Sequence, residues 1–279
     1  MKKILITGAN GFAAKSVAAL LEKEGHDLIK IDRSNGDIAE AATLKCIYGV
    51  THVIHMAACT FVPHSWENPG EFFRTNVGGT NCVLDYCRKQ EAPLCYISSY
   101  VYGMPSKLPV SEEEPIKANN PYMKSKHMAE ELCRFYSESF EMDVCVLRPF
   151  NLYGPNQNKE FLIPQIIFDA CNKNEIRVND LFPRRDYLYV SDFAKAVSLS
   201  LNNRGFCVYN VGAGKSYSVL EIIKTVQRVL SIELPIVEAG NRRKGEIPDV
   251  VADIRKISDE LGWKPEVSLE EGFAKILGH

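Results

Sequence analysis

Short apolar runs alternate with longer segments of helical periodicity over the first 150 residues of the chain. The apolar runs predict five strands: KKILIT (2–7), DLIKID (27–32), HVIHMA (52–57), LCYISS (94–99) and DVCVLR (143–148). Between them, segments such as 70–90 and 121–139 repeat apolar positions with the period of an α-helix. This alternation predicts an α/β fold, in which helices cover both faces of a parallel sheet.

The pattern is less regular in the second half of the chain, where Pro149, Pro155 and Pro164 interrupt it. An apolar run at 208–212 and a helical pattern over 218–231 follow. These shorter elements predict a smaller second domain that packs over the first.

The composition is that of an ordinary globular protein, and it excludes several kinds of partner. Hydrophobic residues make up 46% and charged residues 24% of the 279 residues, and the formal net charge is -2 without a basic run. We therefore expect no binding to nucleic acid or to an anionic membrane. No apolar stretch is long enough to cross a bilayer, and the N-terminal apolar run is too short for a signal peptide.

The cysteines give a further indication of the compartment. Nine cysteines without a CxxC pair predict buried, unpaired thiols and a cytoplasmic protein. No cluster has the spacing of metal ligands, so we expect no metal site.

A glycine-rich turn, TGANGFAA, follows the first predicted strand. Gly8 permits a tight turn, and Gly11 lets backbone N–H groups approach a pyrophosphate at the start of the next helix. The second strand ends in Asp32, which is placed to bond a ribose 2′-hydroxyl and favours NAD over NADP. Arg33 follows it and could instead receive a 2′-phosphate, so NADP stays open as an alternative.

The stretch NNPYMKSK contains a second candidate site at a predicted helix start. Asn120 can cap the helix, and Pro121 suits its first turn. Tyr122 and Lys126 then lie one turn apart on the same face, close enough to act together. A solvated surface pair is the alternative interpretation, because this spacing also arises by chance.

Nine motifs occur in an order that resembles the extended short-chain dehydrogenase/reductases: TGANGFAA (7–14), GDI (36–38), HMAA (55–58), ISSYVYG (97–103), PYMKSK (121–126), LRPFNLYGP (147–155), RRDYLYVSD (184–192), YNVGAG (209–214) and GWKPEVSLEEG (262–272). Within that superfamily the chain is similar to the NAD-dependent sugar-nucleotide epimerase/dehydratase family. The resemblance implies an enzyme with a Rossmann-type doubly wound parallel sheet and a smaller C-terminal substrate domain. We expect residues 1–150 to form the dinucleotide-binding domain and 151–279 mostly the substrate domain, with a return to the first domain around 186–213.

The resemblance also implies roles for three catalytic residues. Tyr122 would be the acid/base, Lys126 its partner and a ligand of the nicotinamide ribose, and Ser98 the hydroxyl that hydrogen-bonds the reacting oxygen. A neighbouring ammonium and an oxidised nicotinamide both favour a tyrosine anion, so we expect the pKa of Tyr122 to be lowered.

The implied cofactor is NAD, with NADP possible. The residues expected to bind it are Gly8, Asn10, Gly11, Phe12, Ala13, Asp32, Arg33, Asp37, Ile38, Met56, Ala57, Ala58, Asn76, Tyr122, Lys126 and Pro149. Asp37 and Ile38 match a pair that contacts adenine, although Asp37 could instead cap a helix.

The implied substrate is a nucleoside-diphosphate sugar. The residues expected to bind it are Ser98, Ser99, Asn151, Arg185 and Arg243, the two arginines through the diphosphate. Two departures from the family pattern leave the nucleotide open. Glu246 stands where an aspartate often bonds the ribose, and Phe161 stands where several UDP-sugar epimerases have asparagine.

Hydride transfer beside Tyr122 could serve an epimerase, a ketoreductase or a 4,6-dehydratase. The dehydratase is disfavoured, because Ser99 and Tyr100 occupy the positions of its acid and base. We favour an epimerase, with a ketoreductase next and a catalytically silent dinucleotide-binding regulator as a different class. Related enzymes pair through helices like those at 70–90 and 121–139, so we expect a homodimer.

Overall fold

The computed structural model describes residues 1–240 and 246–278, which form strands, helices and the segments that connect them. Its strands are β1 (Lys3–Thr7), β2 (Asp27–Ile31), β3 (His52–His55), β4 (Leu94–Ile97), β5 (Val144–Pro149), β6 (Asn151–Tyr153), β7 (Ile176–Val178), β8 (Arg184–Tyr189), β9 (Phe206–Val211), β10 (Ser216–Ser218), β11 (Ile236–Glu238) and β12 (Asp249–Val250). Its α-helices are α1 (Phe12–Lys23), α2 (Val62–Glu67), α3 (Pro69–Phe72), α4 (Gly79–Gln90), α5 (Pro121–Phe140), α6 (Leu162–Asn172), α7 (Val190–Ser200), α8 (Val219–Leu230), α9 (Arg255–Leu261) and α10 (Leu269–Leu277). Two 3-10 turns, Arg33–Asn35 and Ala41–Leu44, and a π-helical segment, Phe73–Gly78, complete it.

The central sheet contains six parallel strands in the order β2-β1-β3-β4-β5-β9. Side chains on both faces of its strands are buried, which explains the continuous apolar runs. On β1, Ile4 and Ile6 pack into the core on one face, whereas Leu5 packs into the core on the other. The predicted parallel α/β sheet is therefore confirmed.

Helices cover the two faces of this sheet as separate layers. On one face α1 packs against α7, and Val17, Leu21 and Phe193 join the core. On the other face α4 packs against α5, and Val83 and Ala129 join the second core. The chain thus supplies the last strand, β9, and one covering helix, α7, only after it has passed through part of the second half.

The second half of the chain forms smaller sheets around β8. Strands β10 and β12 flank β8 in one sheet, β6 also pairs with β8, and β7 pairs with β11. Helices α6, α8 and α10 pack here over a third core that includes Ile166, Ile222 and Phe273. The boundary near residue 150 and the return around 186–213 stay predictions about domain organisation.

The structure bears on the predictions about membrane-spanning segments and about the cysteines. Among residues 1–240 and 246–278, no helix is long and apolar enough to cross a lipid bilayer. The nine cysteines are unpaired, but the expectation of buried thiols holds only in part, because Cys46 and Cys171 are exposed. Cys46 lies in the loop before β3, and Cys171 lies on the exposed side of α6.

Asp186 connects β8 to the end of the central sheet. It is fully buried, and its carboxylate accepts hydrogen bonds from the backbone N–H groups of Ala213, Gly214 and Ala252 at 2.6, 2.9 and 3.1 Å. Burial raises the pKa of Asp186 to about 6, and the three N–H donors act against that rise.

We expect Asp186→Asn to lower the free energy of unfolding by about 1–3 kcal/mol, because an amide N–H would face a backbone N–H in either orientation. Chemical denaturation at pH 7 measures this change. The exposed Asp27 of β2 provides the matched control, Asp27→Asn, which should leave stability unchanged. Equal effects of the two substitutions would contradict the role assigned to Asp186.

Candidate active site

One cavity of about 1590 Å³ runs along the carboxyl edge of the central sheet and into the second half of the chain. Residues at or just after the ends of five strands line it, among them Thr7, Ile31, Met56, Ile97 and Pro149. The predicted site residues that line it are Gly8, Asn10, Gly11, Phe12, Ala13, Asp32, Arg33, Asp37, Ile38, Met56, Ala57, Ala58, Ser98, Ser99, Tyr122, Pro149, Asn151 and Arg185. Most of the predicted site residues therefore line one cavity.

The turn after β1 lies against the turn after β3. Gly8 has φ +68°, and a Cβ there would come within 2.7 Å of the N and Cα atoms of Ala57. Gly11 caps α1 without a side-chain hydrogen bond, so the first-turn N–H groups have no side-chain acceptor. A helix start of this kind, at the wall of a cavity, suits a pyrophosphate group.

His55 fixes the geometry of these two turns. Its Nε2 lies 3.1 Å from the Thr80 hydroxyl, which donates its own proton to the Asn76 carbonyl, so Nε2 carries the imidazole proton. Its Nδ1 then accepts from the Thr7 hydroxyl at 2.7 Å, and Thr7 accepts from the backbone N–H of Met56. Burial lowers the pKa of His55 to about 3, so the ring is neutral and structural, as expected.

Asn76 lies behind the cavity wall and is not one of its lining residues. It is buried, its Oδ1 accepts from the Cys59 N–H at 2.8 Å, and its Nδ2 donates to the Cys59 carbonyl and the Ser125 hydroxyl. All of its amide hydrogen-bonding groups are thus used within the protein. Asn76 therefore supports the turn after β3 from behind the cavity wall, and its contact with the cofactor stays a prediction.

Asp32 places a negative charge in the cavity at the end of β2. Its carboxylate accepts hydrogen bonds from the Ser34 N–H at 2.7 Å and from the Asn10 amide. The hydrogen bond with Ser34 is the main reason that the pKa of Asp32 lies below its usual range. The Arg33 guanidinium lies 3.5 Å from the carboxylate of Glu71, so its charge already has a partner.

Asp37 has a structural role as well as its place in the cavity wall. Its carboxylate accepts from the Ala39 N–H at 2.9 Å and forms an ion pair with Arg74 at 2.5 Å. The bond to the Ala39 N–H closes a local turn and caps no helix, because Glu40 is the N-cap residue of the next helical turn, Ala41–Leu44. Ile38 is buried beside it and contributes to the sheet core.

Helix α5 begins as the sequence predicts and carries the Tyr–Lys pair. The Asn120 side chain accepts from the Met123 N–H at 2.8 Å, and Pro121 is the first helical residue. Tyr122 lines the cavity, whereas Lys126 lies behind the wall with 3% of its surface exposed. Its Nζ donates to the Ile97 carbonyl at 2.6 Å, so the surface-pair interpretation does not apply.

Burial controls the ionisation of both residues. Burial raises the pKa of Tyr122 above 10.0, and the hydrogen bond with the Ser99 side chain opposes this rise. In the protein alone Tyr122 is therefore a phenol, and a lowered pKa beside an oxidised nicotinamide stays a prediction. Burial lowers the pKa of Lys126 from 10.5 to about 8, while the carboxylate of Glu130 acts in the opposite direction.

The two neighbouring serines point in different directions. The hydroxyl of Ser98, which is 4% exposed, donates to the buried carboxylate of Glu130 instead of pointing its proton at the cavity. Ser99 supplies the hydroxyl whose hydrogen bond opposes the rise in the pKa of Tyr122. The sequence motif did not reveal Glu130, although its spacing of one helical turn from Lys126 was a usable signal.

Arg185, one of the two arginines predicted to bind phosphate, already has partners within the protein. Arg185 forms an ion pair with Glu246, and its Nη1 donates to the carbonyls of Arg184 and Ile247 at 2.7 Å each. The carboxylate of Glu246 therefore balances the charge of Arg185 within the protein. Arg243 lies outside the described residues.

Aromatic side chains that the motifs did not single out also line the cavity. Tyr100 stacks on Phe150 with ring centroids 5.4 Å apart, and Phe61 meets Phe161 edge to face at 6.2 Å. Trp66, at 63% exposure, lines the same cavity near Phe61. These rings give the substrate side an apolar wall of the kind that packs on bases and sugar faces.

Comparison with known proteins agrees with this geometry. The profile described as "NAD dependent epimerase/dehydratase family" matches residues 4–212, which is well over half of the chain. The chain belongs to the NAD-dependent epimerase/dehydratase family. The predicted family is confirmed, and so is the prediction of an enzyme.

Relatives within the NAD-dependent epimerase/dehydratase family include more than one activity. The UDP-glucose 4-epimerase of Bacillus subtilis is 30% identical, covering 96% of this chain and 94% of that protein. The GDP-6-deoxy-D-mannose reductase of Pseudomonas aeruginosa is 30% identical, covering 99% of this chain and 96% of that protein.

Solved structures of the family superpose closely. RMD from Pseudomonas aeruginosa, complexed with NADPH, has a TM-score of 0.91 at 30% identity and covers 100% of this chain and 98% of its own. UDP-glucose 4-epimerase from Bifidobacterium longum, in complex with NAD+ and UDP, has a TM-score of 0.90 at 27% identity. The match covers 99% of this chain and 97% of that chain.

We expect Lys126→Met to raise the free energy of unfolding by about 2–3 kcal/mol at pH 7, because it removes a buried charge. Between pH 8 and 10.5 the unfolded chain binds the Lys126 proton more tightly than the folded one, so the wild type gains stability as the pH rises. The advantage of the variant should therefore shrink over that range.

Denaturant titrations at pH 7 and pH 10 measure this difference. Lys124→Met, at an exposed lysine of the same helix, is the matched control and should show no dependence on pH. A Lys126→Met variant less stable than wild type at pH 7 would contradict the argument.

Proposed function

We propose that the protein is an NAD-dependent nucleotide-sugar epimerase that acts by transient hydride transfer at a sugar carbon. One observation carries the proposal: a single cavity joins the turn at Gly8, the hydroxyl of Tyr122 and the side chains of Asn151 and Arg185. Its volume of about 1590 Å³ exceeds the roughly 300–1,000 Å³ of a pocket for one small ligand, which supports two ligands bound end to end.

The residues at the sheet edge fit NAD(H). The uncapped N-terminus of α1 offers N–H groups to a pyrophosphate, and the Asp32 carboxylate offers acceptors to ribose hydroxyls. When bound there, NAD(H) would supply hydride transfer to and from a sugar carbon. Solved relatives hold NAD+ in one case and NADPH in another, which supports this class of cofactor.

The chain's own residues handle the proton and the charge. Tyr122 is the residue placed to take a proton from a sugar hydroxyl and to return it to the keto oxygen. Its phenol form, which burial favours, suits the return step. A positive charge beside the phenol would favour the anion that the oxidation step needs. Lys126 lies one helical turn from Tyr122, and its ammonium group donates to the Ile97 carbonyl. It supplies positive charge from the protein.

The substrate side supports a nucleoside-diphosphate sugar. Arg177 and Arg185 both line that end of the cavity, and the planar guanidinium group binds phosphate oxygens at two points. Arg185 would have to exchange its partner Glu246 for a phosphate. The aromatic pair Phe61 and Phe161 provides an apolar surface beside them.

A nucleotide-sugar ketoreductase is the second candidate. The relative named as a GDP-6-deoxy-D-mannose reductase covers 99% of this chain, and RMD complexed with NADPH superposes at a TM-score of 0.91. A 4,6-dehydratase has less support, since Ser99 and Tyr100 stand where an acid and a base are required.

Two assays on the purified protein distinguish these reactions. Mass spectrometry identifies the dinucleotide that co-purifies, and we expect NAD. UDP-glucose and other nucleotide sugars are then supplied without added cofactor, and we expect their epimers to form. Stoichiometric consumption of NADH or NADPH by a ketosugar nucleotide, without epimerisation, would favour the reductase. No turnover of any nucleotide sugar would contradict both proposals.

We expect Tyr122→Phe to lower kcat by about 10²- to 10⁴-fold, because it removes the group that exchanges the proton. Dinucleotide binding, measured by calorimetry, should remain. Tyr136→Phe is the matched control on the same helix, since the Tyr136 hydroxyl contacts only Asn81 at 3.3 Å among the hydrogen bonds of the described residues. A Tyr122→Phe variant with wild-type kcat would show that another group is the acid/base.

A homodimer is part of this proposal. Helix α5 exposes Met128, Phe135 and Phe140, with 40%, 54% and 46% of their surfaces accessible. Apolar side chains grouped on one helix are typical of a face that is covered by a second chain.

We expect Phe135→Asp to convert a dimer into a monomer, because a carboxylate would be buried at the interface. Sedimentation at micromolar concentration measures the change. Phe168→Asp, at a phenylalanine of α6 with 44% exposure, is the control and should leave the assembly intact. Wild-type protein that sediments at 31.3 kDa would rule out the dimer under those conditions.

A further inference from the structure

Behind the wall that carries Tyr122, a buried network joins Ser98 to an ion pair. Glu130 on α5 and Arg148 on β5 are 3% and 5% exposed. The Arg148 Nε lies 3.1 and 3.2 Å from the two carboxylate oxygens of Glu130, and its Nη2 lies 2.6 Å from Oε2. The Ser98 hydroxyl hydrogen-bonds to Oε1 of the same carboxylate.

The chemistry of this pair fixes the direction of the hydrogen bond from Ser98. A carboxylate that receives two N–H groups from a guanidinium is ionised and can only accept. The hydroxyl of Ser98 has one proton, so that proton points to Glu130. Toward the cavity, which Ser98 lines, the oxygen has only lone pairs to offer.

The rest of the network holds this arrangement in place. Arg148 donates from Nη1 to the Tyr102 hydroxyl at 2.8 Å, and Tyr102 donates to Oδ1 of Asn210 at 2.6 Å. Asn210 donates in turn to the Val110 carbonyl at 2.9 Å. Every side chain of this network is buried, so reversing the Ser98 proton would remove one of the two donors to Oε1 of Glu130 and leave only the Arg148 Nε.

We propose that Glu130 is a positioning residue, which takes the Ser98 proton and so makes Ser98 a hydrogen-bond acceptor for a hydroxyl of the bound sugar. This inference rests on the proposed function. The reaction proton then passes directly between the sugar oxygen and Tyr122, without a relay through Ser98. Ser98 contributes orientation, since a sugar hydroxyl that donates to it is held in one direction.

A double-mutant cycle with Glu130→Gln and Ser98→Ala tests this role. The glutamine amide can donate to Ser98 and reverse its proton, so we expect Glu130→Gln to lower kcat/KM by about 10- to 100-fold. In the Ser98→Ala background no hydroxyl remains to be oriented, and the same substitution should lower kcat/KM by less than about threefold. Glu131→Gln, at the exposed neighbour on α5, is the control and should match wild type.

Thermal unfolding of each variant separates positioning from stability. Should Glu130→Gln fail to fold, Glu130→Gln combined with Arg148→Met replaces it, because no buried charge then lacks a partner. A Glu130→Gln variant with wild-type kcat/KM would overturn the proposal. So would a loss of kcat/KM from Glu130→Gln that is equally large with and without the Ser98 hydroxyl. A wild type that turns over no nucleotide sugar is a separate result, which overturns the proposed function and the role of Glu130 together.

Discussion

The parallel pairing of β1 with β2 on one side and β3 on the other is the constraint on which the site depends. Because the strands run in the same direction, their carboxyl ends lie at one edge, and the chain leaves β1 at the point where the strand order reverses. The turn after β1 must then pass close to the turn after β3. Gly8 permits that approach, and the cavity opens beside it.

Around Tyr122 the fold places charged groups where a protein of this size usually places hydrocarbon. Lys126, Glu130 and Arg148 are each at most 5% exposed, and burial of charge is unfavourable unless it is paired and hydrogen-bonded. The ion pair satisfies two of them, and Lys126 has a backbone carbonyl and the ring of Tyr96. We expect an apolar core of the same volume to be at least as stable as this charged one.

Local sequence predicted the features that depend on neighbours along the chain. The five strand predictions overlap the observed strands, and the Asn120 cap and the Gly8 turn lie where their residue types indicate. Local sequence did not predict the side-chain partners that are distant along the chain. Asn76 meets Cys59 and Ser125, and Arg185 meets Glu246 across 61 positions, so no local pattern could show that these polar groups were already used.

The late position of β9 in the sequence has a consequence for how the protein is made. The strand completes the central sheet at Phe206–Val211, and α7 covers α1 shortly before it. When the chain has emerged from the ribosome only as far as β5, this strand is an unpaired edge of the sheet. The face of α1 that α7 later covers is then still exposed. The nucleotide-binding half therefore cannot finish folding first. It is completed only after the first elements of the second half have been synthesised.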